Sequence, residues 1–254
     1  VLDALIEPLR TDSLKDVFVL RFEELILSGK IQIGQKLPSE RELALQLSVS
    51  RPVVHEGLVE LASRGLISLK PRSGSTVNDY RREGSLTLLA SLIQYRKGRL
   101  ESELLESLLQ LRRLLEPSFA ELAAQNRSAE QVHEFSALLE KEESADPRNT
   151  LKITDLDFDF HLLIAVASGN TVYPLLMNSF RPVYTNLSGQ FFRDREVTVA
   201  VHAYHRALAQ AIEGGDGGKA KSVMTTILQH GEEHLRRMIG EENPAGSLPK
   251  GDRS

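Results

Sequence analysis

The sequence of 254 residues predicts a mainly α-helical chain in two parts: a small N-terminal unit of helices and one hairpin, then an antiparallel all-helical bundle of about seven helices. Three observations predict it. Apolar residues recur at helical spacing through most of the chain. The one strand-like stretch, near residues 67–78, is short and built around a turn. Charge also changes sign along the chain, with seven basic and four acidic residues between Lys30 and Asn78 but 16 basic and 23 acidic from Glu101 to Ser254. Taken whole, the net charge of −4 argues against a nucleic-acid partner; divided this way, it describes a mildly basic head on an acidic body, two modules with different partners.

From Leu14 to Leu27, apolar Val17, Leu20, Leu25 and Ile26 give an amphipathic helix that Ser28-Gly29 ends. A polar connector with Gly34 and Pro38 follows. Ser39 and Glu42 form a capping-box pattern opening a short second helix, which stops near Ser48-Val49. Ser50 caps a third helix; Pro52 is tolerated in its first turn, where amides lack intrahelical acceptors. Val54, Leu58, Leu61 and Ala62 form its buried stripe, and Gly65 suits its end. Ile67–Lys70 and Ser75–Asn78 read as two short strands flanking the turn Pro71–Gly74. Three helices and this hairpin make a winged helix-turn-helix pattern over residues 1–79. Residues 80–84 read as a linker and residues 243–254, with Pro244 and Pro249, as a loose tail. Between them, residues 85–242 read as helices near 84–96, 101–125, 129–144, 151–168, 171–190, 194–213 and 217–240, separated by breaks such as Asp146-Pro147 and Ser168-Gly169-Asn170.

The absence of cysteine excludes disulfides, thiolate metal sites and a cysteine nucleophile. No apolar run reaches the ~18 residues of a membrane span, and the first dozen residues lack a signal-peptide pattern, so the expected location is the cytoplasm, without a membrane partner.

In a helix-turn-helix, the N-terminal residues of the second motif helix face base edges in the major groove. That places Ser50, Arg51, Val53 and His55 against double-stranded DNA. Arg51 suits bidentate contact with guanine, Ser50 a phosphate, and Val53 a thymine methyl. His55 lies four residues after Arg51 on the same face. Arg41 on the preceding helix reaches a phosphate or a base, while Arg72 and Gly74 at the wing tip suit a minor groove.

The motifs Pro38-Ser-Glu-Arg-Glu-Leu-Ala44, Val49-Ser-Arg51, Val54-His-Glu56 and Gly65-Leu-Ile67 resemble the GntR superfamily of bacterial transcription regulators over about residues 13–79. His55 stands where that family usually has arginine, which implies weaker affinity or a changed base preference. Ser48 stands where glycine is common in the turn, a neutral exchange.

In the body, Asp157 and His161 are four residues apart on one predicted helix and face the same way. With His205 and His230 on later helices they make a set able to hold a divalent metal, zinc or similar, with positions left for water or ligand. Chance produces such sets readily among seven histidines. Asp157-Phe-Asp-Phe-His161 followed by Ala167-Ser-Gly-Asn170, with Arg112–Glu116 and His205-Arg206, resembles the FCD ligand-binding domain. The resemblance implies Asp157, His161 and His205 as metal ligands. An ungapped alignment puts Ile227 at the fourth position; a three-residue insertion before it puts His230 there, and His230 is the expected fourth ligand. Some members of the FadR subgroup dispense with the metal and sense fatty acyl-CoA. The helix over Leu86–Tyr95 implies that subgroup's seven-helix version of the domain.

Arg112, if it points into the bundle, suits an effector carboxylate; its alternative is an ion pair with Glu116. Tyr204, with Tyr184, Asn186 and Phe192, either lines the same cavity or is simply core. The expected protein is therefore a homodimeric transcription regulator, a repressor by the resemblance, whose operator affinity answers to a small organic acid or acyl effector. A metal-dependent hydrolase is the remote alternative: Asp159 points away from Asp157, and the chain has no nucleophile elbow or phosphate-binding glycine loop.

Overall fold

The computed structural model describes residues 13–70, 73–95 and 102–242. They fall into two compact units divided at Arg99–Leu100.

In the first unit, α1 (Leu14–Leu27), α2 (Glu40–Leu47) and α3 (Arg51–Ser63) precede β1 (Ile67–Lys70) and β2 (Gly74–Val77). The strands pair antiparallel with Ile67 opposite Val77 and Lys70 opposite Gly74, and Lys36 bridges to Thr76. The capping box forms as the sequence predicts: Ser39 accepts from the Glu42 amide, and the Glu42 carboxylate accepts from the Ser39 amide at 2.8 Å. Phe18, Phe22, Val54, Leu58 and Leu61 fill the core, and Gly57 lets α3 approach the Phe18 ring.

Two features correct the sequence reading. Ser48 is not neutral, because it closes α2 in the left-handed region at φ 55°, where a Cβ is disfavoured. The segment read as a linker is folded: α4 (Tyr80–Glu83) and α5 (Leu88–Tyr95) continue this unit. Gly65 (φ 79°) permits it, since a Cβ there would stand 2.0 Å from the Glu83 carbonyl oxygen. The Ser85 amide donates to Arg64 O, the Asn78 side chain donates to Gly65 O, and Leu88 enters the core. The first of the seven expected bundle helices thus belongs by its packing to the N-terminal unit.

The second unit contains α6 (Ser102–Asn126), α7 (Ala129–Ser144), α8 (Thr150–Ala167), α9 (Tyr173–Phe191), α10 (Arg195–Glu213) and α11 (Gly217–Glu242). Ser128 and Gln131 cap α7 reciprocally, and Asn149 and Asp194 cap α8 and α10. Helix α8 is buried on almost every side, from Ile153 to Ala167, and carries Asp157 and His161 into the middle of the bundle. Among the described residues no helix is long and apolar enough to cross a membrane. The expected tail, 243–254, lies outside the described residues.

Candidate functional site

Helix α3 starts at Arg51 with Ser50 in the N-cap position, yet the Ser50 side chain makes no capping hydrogen bond. Its hydroxyl and the first-turn amides are open to a partner. Arg41, Ser50, Arg51 and His55 are exposed and Val53 is half-buried. Among the described residues, neither Arg41 nor Arg51 has a side-chain hydrogen bond or ion pair, whereas His55 Nδ1 lies 2.8 Å from Glu40 Oε1. Gly74 (φ 83°) is exposed at the wing turn, and Arg72 lies outside the described residues.

The second candidate site lies inside the bundle. Asp157, His161 and His205 are all buried, and one ligand atom from each falls within 4.8 Å of the others. Each is set by a neighbour. His205 Nδ1 is 2.8 Å from Glu142 Oε1, and its ring stacks on Phe160 with centroids 4.0 Å apart. The Tyr184 hydroxyl donates to Asp157 Oδ2 at 2.6 Å. His161 Nδ1 stands 2.6 Å from Glu116 Oε2, too poorly aligned to count as a hydrogen bond, and Arg112 Nε donates to Glu116 Oε1 at 2.5 Å.

Burial alone would raise the Glu116 carboxyl, but the Arg112 guanidinium and His161 outweigh it and hold it at about 2. Burial and Asp157 push the Tyr184 hydroxyl well above the usual phenol range, so it remains a donor. Burial opposes the charge on His205, and Glu142 more than offsets it, raising the imidazole.

This set suits a divalent cation. His205 Nε2 has no hydrogen-bond partner and faces Asp157 Oδ1 at 3.5 Å. With Nδ1 against Glu142, His205 turns Nε2 toward a carboxylate oxygen, a pair of ligand atoms that a divalent cation would fit. A histidine whose other nitrogen is held by a carboxylate is the usual support for a metal ligand. Glu116 pairs with Arg112 and stands beside His161, and Glu142 holds His205, so three carboxylates gather around two imidazoles and one guanidinium.

A cavity of about 900 Å³, open solvent at its mouth included, adjoins the cluster. Arg112, Glu116, Asp157, His161, Tyr184 and Ser188 supply its polar side chains; its other walls are almost wholly aliphatic and aromatic. The Arg112 guanidinium lies 4.8 Å from the Tyr184 ring centroid. Arg112 thus makes the ion pair with Glu116 and lies on the cavity wall.

His230 and Tyr204 need correction. Ile227 and Gly231 line the cavity, so His230, one residue before Gly231 and about 100° around α11, turns instead toward Tyr204 and Phe191, with centroids 5.6 and 6.1 Å away. Ile227, the residue of the ungapped alignment, is the one on the cavity wall. Tyr204 precedes inward-facing His205 by one residue and packs toward α11 rather than into the cavity. Phe192 belongs to a core cluster, and the Asn186 side chain lies outside the described ones. Sequence reasoning missed Glu142, whose only local signal is an acidic residue on a helix, and it missed that Glu116 stands beside His161.

Residues 17–77 match the profile of the bacterial regulatory proteins of the gntR family, and residues 107–230 match the FCD domain. The chain is 33% identical over 224 residues to the HTH-type transcriptional regulator Mce2R of Mycobacterium tuberculosis, covering 86% of this chain and 91% of that one. It is 26% identical over 210 residues to the fatty acid metabolism regulator protein of Proteus mirabilis, covering 83% and 84%. A solved structure of Lar, which controls the Listeria monocytogenes agr system, shares the fold with a TM-score of 0.62 at 15% identity, covering 91% and 100%.

Proposed function

The chain belongs to the GntR family of transcription regulators, with an FCD domain, and from that premise we propose that it reads operator DNA as a homodimer under the control of a carboxylate-type metabolite bound in its helical bundle. The observation that carries this reading is the open N-terminal end of α3, where exposed Arg51, and Arg41 on α2, have no side-chain partner among the described residues. Arg51 reads guanine in the major groove, and Arg41 and Ser50 hold phosphates. Val53 and His55 add base contacts, and Gly74 with Arg72 enters the minor groove. A dimer brings two such helices to half-sites one or more helical turns apart.

In the bundle, Asp157, His161 and His205 would hold a divalent metal, which supplies a Lewis-acidic anchor for a carboxylate. Glu142 orients His205, Tyr184 orients Asp157, and Arg112 offers a bidentate partner to an acid that displaces Glu116. Such an acid shifts operator affinity through its different affinity for the DNA-competent and DNA-incompetent arrangements.

The test is selection of DNA sites from a random pool, then affinity measured against salt for wild type and Arg51→Ala. Loss of about 1–3 kcal/mol of sequence-specific affinity, with non-specific binding largely retained, is expected. Equal specific affinity in the variant refutes the reading. A second reading, a metal-free sensor of fatty acyl-CoA or a similar acyl ligand, is favoured by Ile227 beside the cluster and by the apolar walls. Elemental analysis of the purified protein separates the two: equimolar metal supports the first and its absence the second.

A further inference from the structure

At the DNA-reading end of the head, α2 and α3 are joined by a polar contact. His55 on α3 sets Nδ1 2.8 Å from Oε1 of Glu40, the first residue of α2, 15 positions earlier in the chain. Local structure places both partners. The capping box fixes the first turn of α2 and occupies Glu42, so Glu40 is the acid of that turn left to meet α3. His55 lies one turn after Arg51 on the same face of α3. The pair is at the surface, with 61% of the His55 side chain and 34% of Glu40 exposed. Among the described residues, His55 makes no other side-chain hydrogen bond.

A carboxylate only accepts, so this bond puts a proton on Nδ1 and leaves Nε2 as the free nitrogen of the ring. In the neutral imidazole that nitrogen is a bare acceptor. Fixing the tautomer matters at a groove edge, where bases differ by what they donate and accept. Guanine presents the acceptors N7 and O6, and thymine the acceptor O4; adenine sets an acceptor, N7, beside its N6 amine. Cytosine presents its N4 amine alone. A lone pair backed by a carboxylate therefore opposes guanine and thymine, half matches adenine and fully matches cytosine. Arginine, usual here in the GntR pattern, carries donors and no acceptor and selects the opposite edge. A carboxylate near DNA is also repelled by phosphates whatever the sequence. Its bond to His55 is what gives that acid a sequence-dependent effect.

We propose that Glu40 and His55 act together as a reader of cytosine. His55 accepts from the cytosine N4 amine through Nε2, and Glu40 is the positioning residue that holds the ring in the tautomer able to do so. That base lies about 6 Å along α3 from the one facing Arg51, or about two base pairs. This inference rests on the DNA-reading proposal above and names the base that His55 meets.

The experiment selects sites from a random duplex pool at pH 8.5, above the titration of a free imidazole. It uses the full chain as wild type, Arg51→Ala, His55→Ala, His55→Arg and Glu40→Gln, each checked for an unchanged melting temperature. The guanine released by Arg51→Ala marks the register. About two base pairs from it, the wild type should prefer cytosine about tenfold over guanine. His55→Ala should erase that preference alone, and His55→Arg should turn it to guanine. Glu40→Gln should admit guanine and thymine there, because an amide meets either tautomer, with every other position read as in wild type. A merely structural role for Glu40 would not confine the change to one position. Nitrogen-15 shifts of the free protein, with His55 assigned among the seven histidines by its loss in His55→Ala, should show Nδ1 protonated and Nε2 bare. Glu40→Gln should give a mixture. A base other than cytosine at that position, a preference unchanged in His55→Ala or Glu40→Gln, or an Nε2–H tautomer in the wild type would each overturn the proposal. Specific binding without that cytosine sinks this inference alone; no sequence-specific binding by the wild type sinks the regulator reading and this inference with it.

Discussion

Truncating Arg64 to methionine should unlock the N-terminal unit. Its guanidinium donates to Glu60 at 2.8 Å, to Glu23 at 2.6 Å and to Ser91 at 2.7 Å, and Ser91 donates in turn to Glu23. Glu23 is only 2% exposed, so Arg64→Met leaves a buried carboxylate with one hydroxyl for company. Removing one partner of a buried pair costs roughly 3–5 kcal/mol. The Arg64 side chain is 23% exposed, so water partly replaces it and about 3 kcal/mol is the expectation. Adding Glu23→Gln removes the stranded charge and should recover about 2 kcal/mol, an interaction energy that a double-mutant cycle isolates. Hydrogen exchange of the α1 and α3 amides in increasing denaturant reads the stability of this unit without the bundle. A single-mutant loss under about 1 kcal/mol, or a double mutant worse than Arg64→Met, would refute the argument. Ser91 sits on α5, so the same network fastens α5 to the reading head; exchange of α5 should quicken with Arg64→Met.

Other substitutions test other links. Ser48→Gly relieves the left-handed strain at the end of α2 and should stabilise the unit by about 1 kcal/mol, read in the same exchange experiment. Gly65→Ala meets the Glu83 carbonyl at 2.0 Å as well as a strained φ, and should cost about 3 kcal/mol, with faster exchange across residues 78–88. A chelator should lower the melting temperature of wild type, and Asp157→Asn should abolish that sensitivity; equal chelator effects in both proteins would count against the metal site.

Much of the head was legible because its signals are local. Ser39 and Glu42 specify a helix start within four residues, Ser50-Arg51-Pro52 another, and the strands flank a turn tip that ends in Gly74. The spacing of Asp157 and His161 likewise puts both on one helical face, so two members of the cluster needed only the period of the helix. What escaped depends on contacts distant in sequence. Glu142 reaches His205 from 63 residues away, and no pattern around it marks that role. The choice between Ile227 and His230 turned on where α11 begins and thus on its rotation, which a glycine-rich break leaves undetermined in the sequence. Leu88–Tyr95 is apolar enough to suit either unit, and only the Glu23–Arg64–Ser91 network, with Leu88 in the core, assigns it to the head.

The central claim is that one chain joins a DNA-reading helix to a ligand-responsive cluster. Its most direct test is operator affinity at fixed salt for wild type and His205→Ala, each measured with chelator, with zinc, and with zinc plus each candidate acid. The account predicts that wild-type affinity changes by about tenfold or more with the right acid, a coupling of about 1.4 kcal/mol, and that His205→Ala does not follow it. Operator binding that is indifferent to metal and acid, or that responds equally in both proteins, would contradict it.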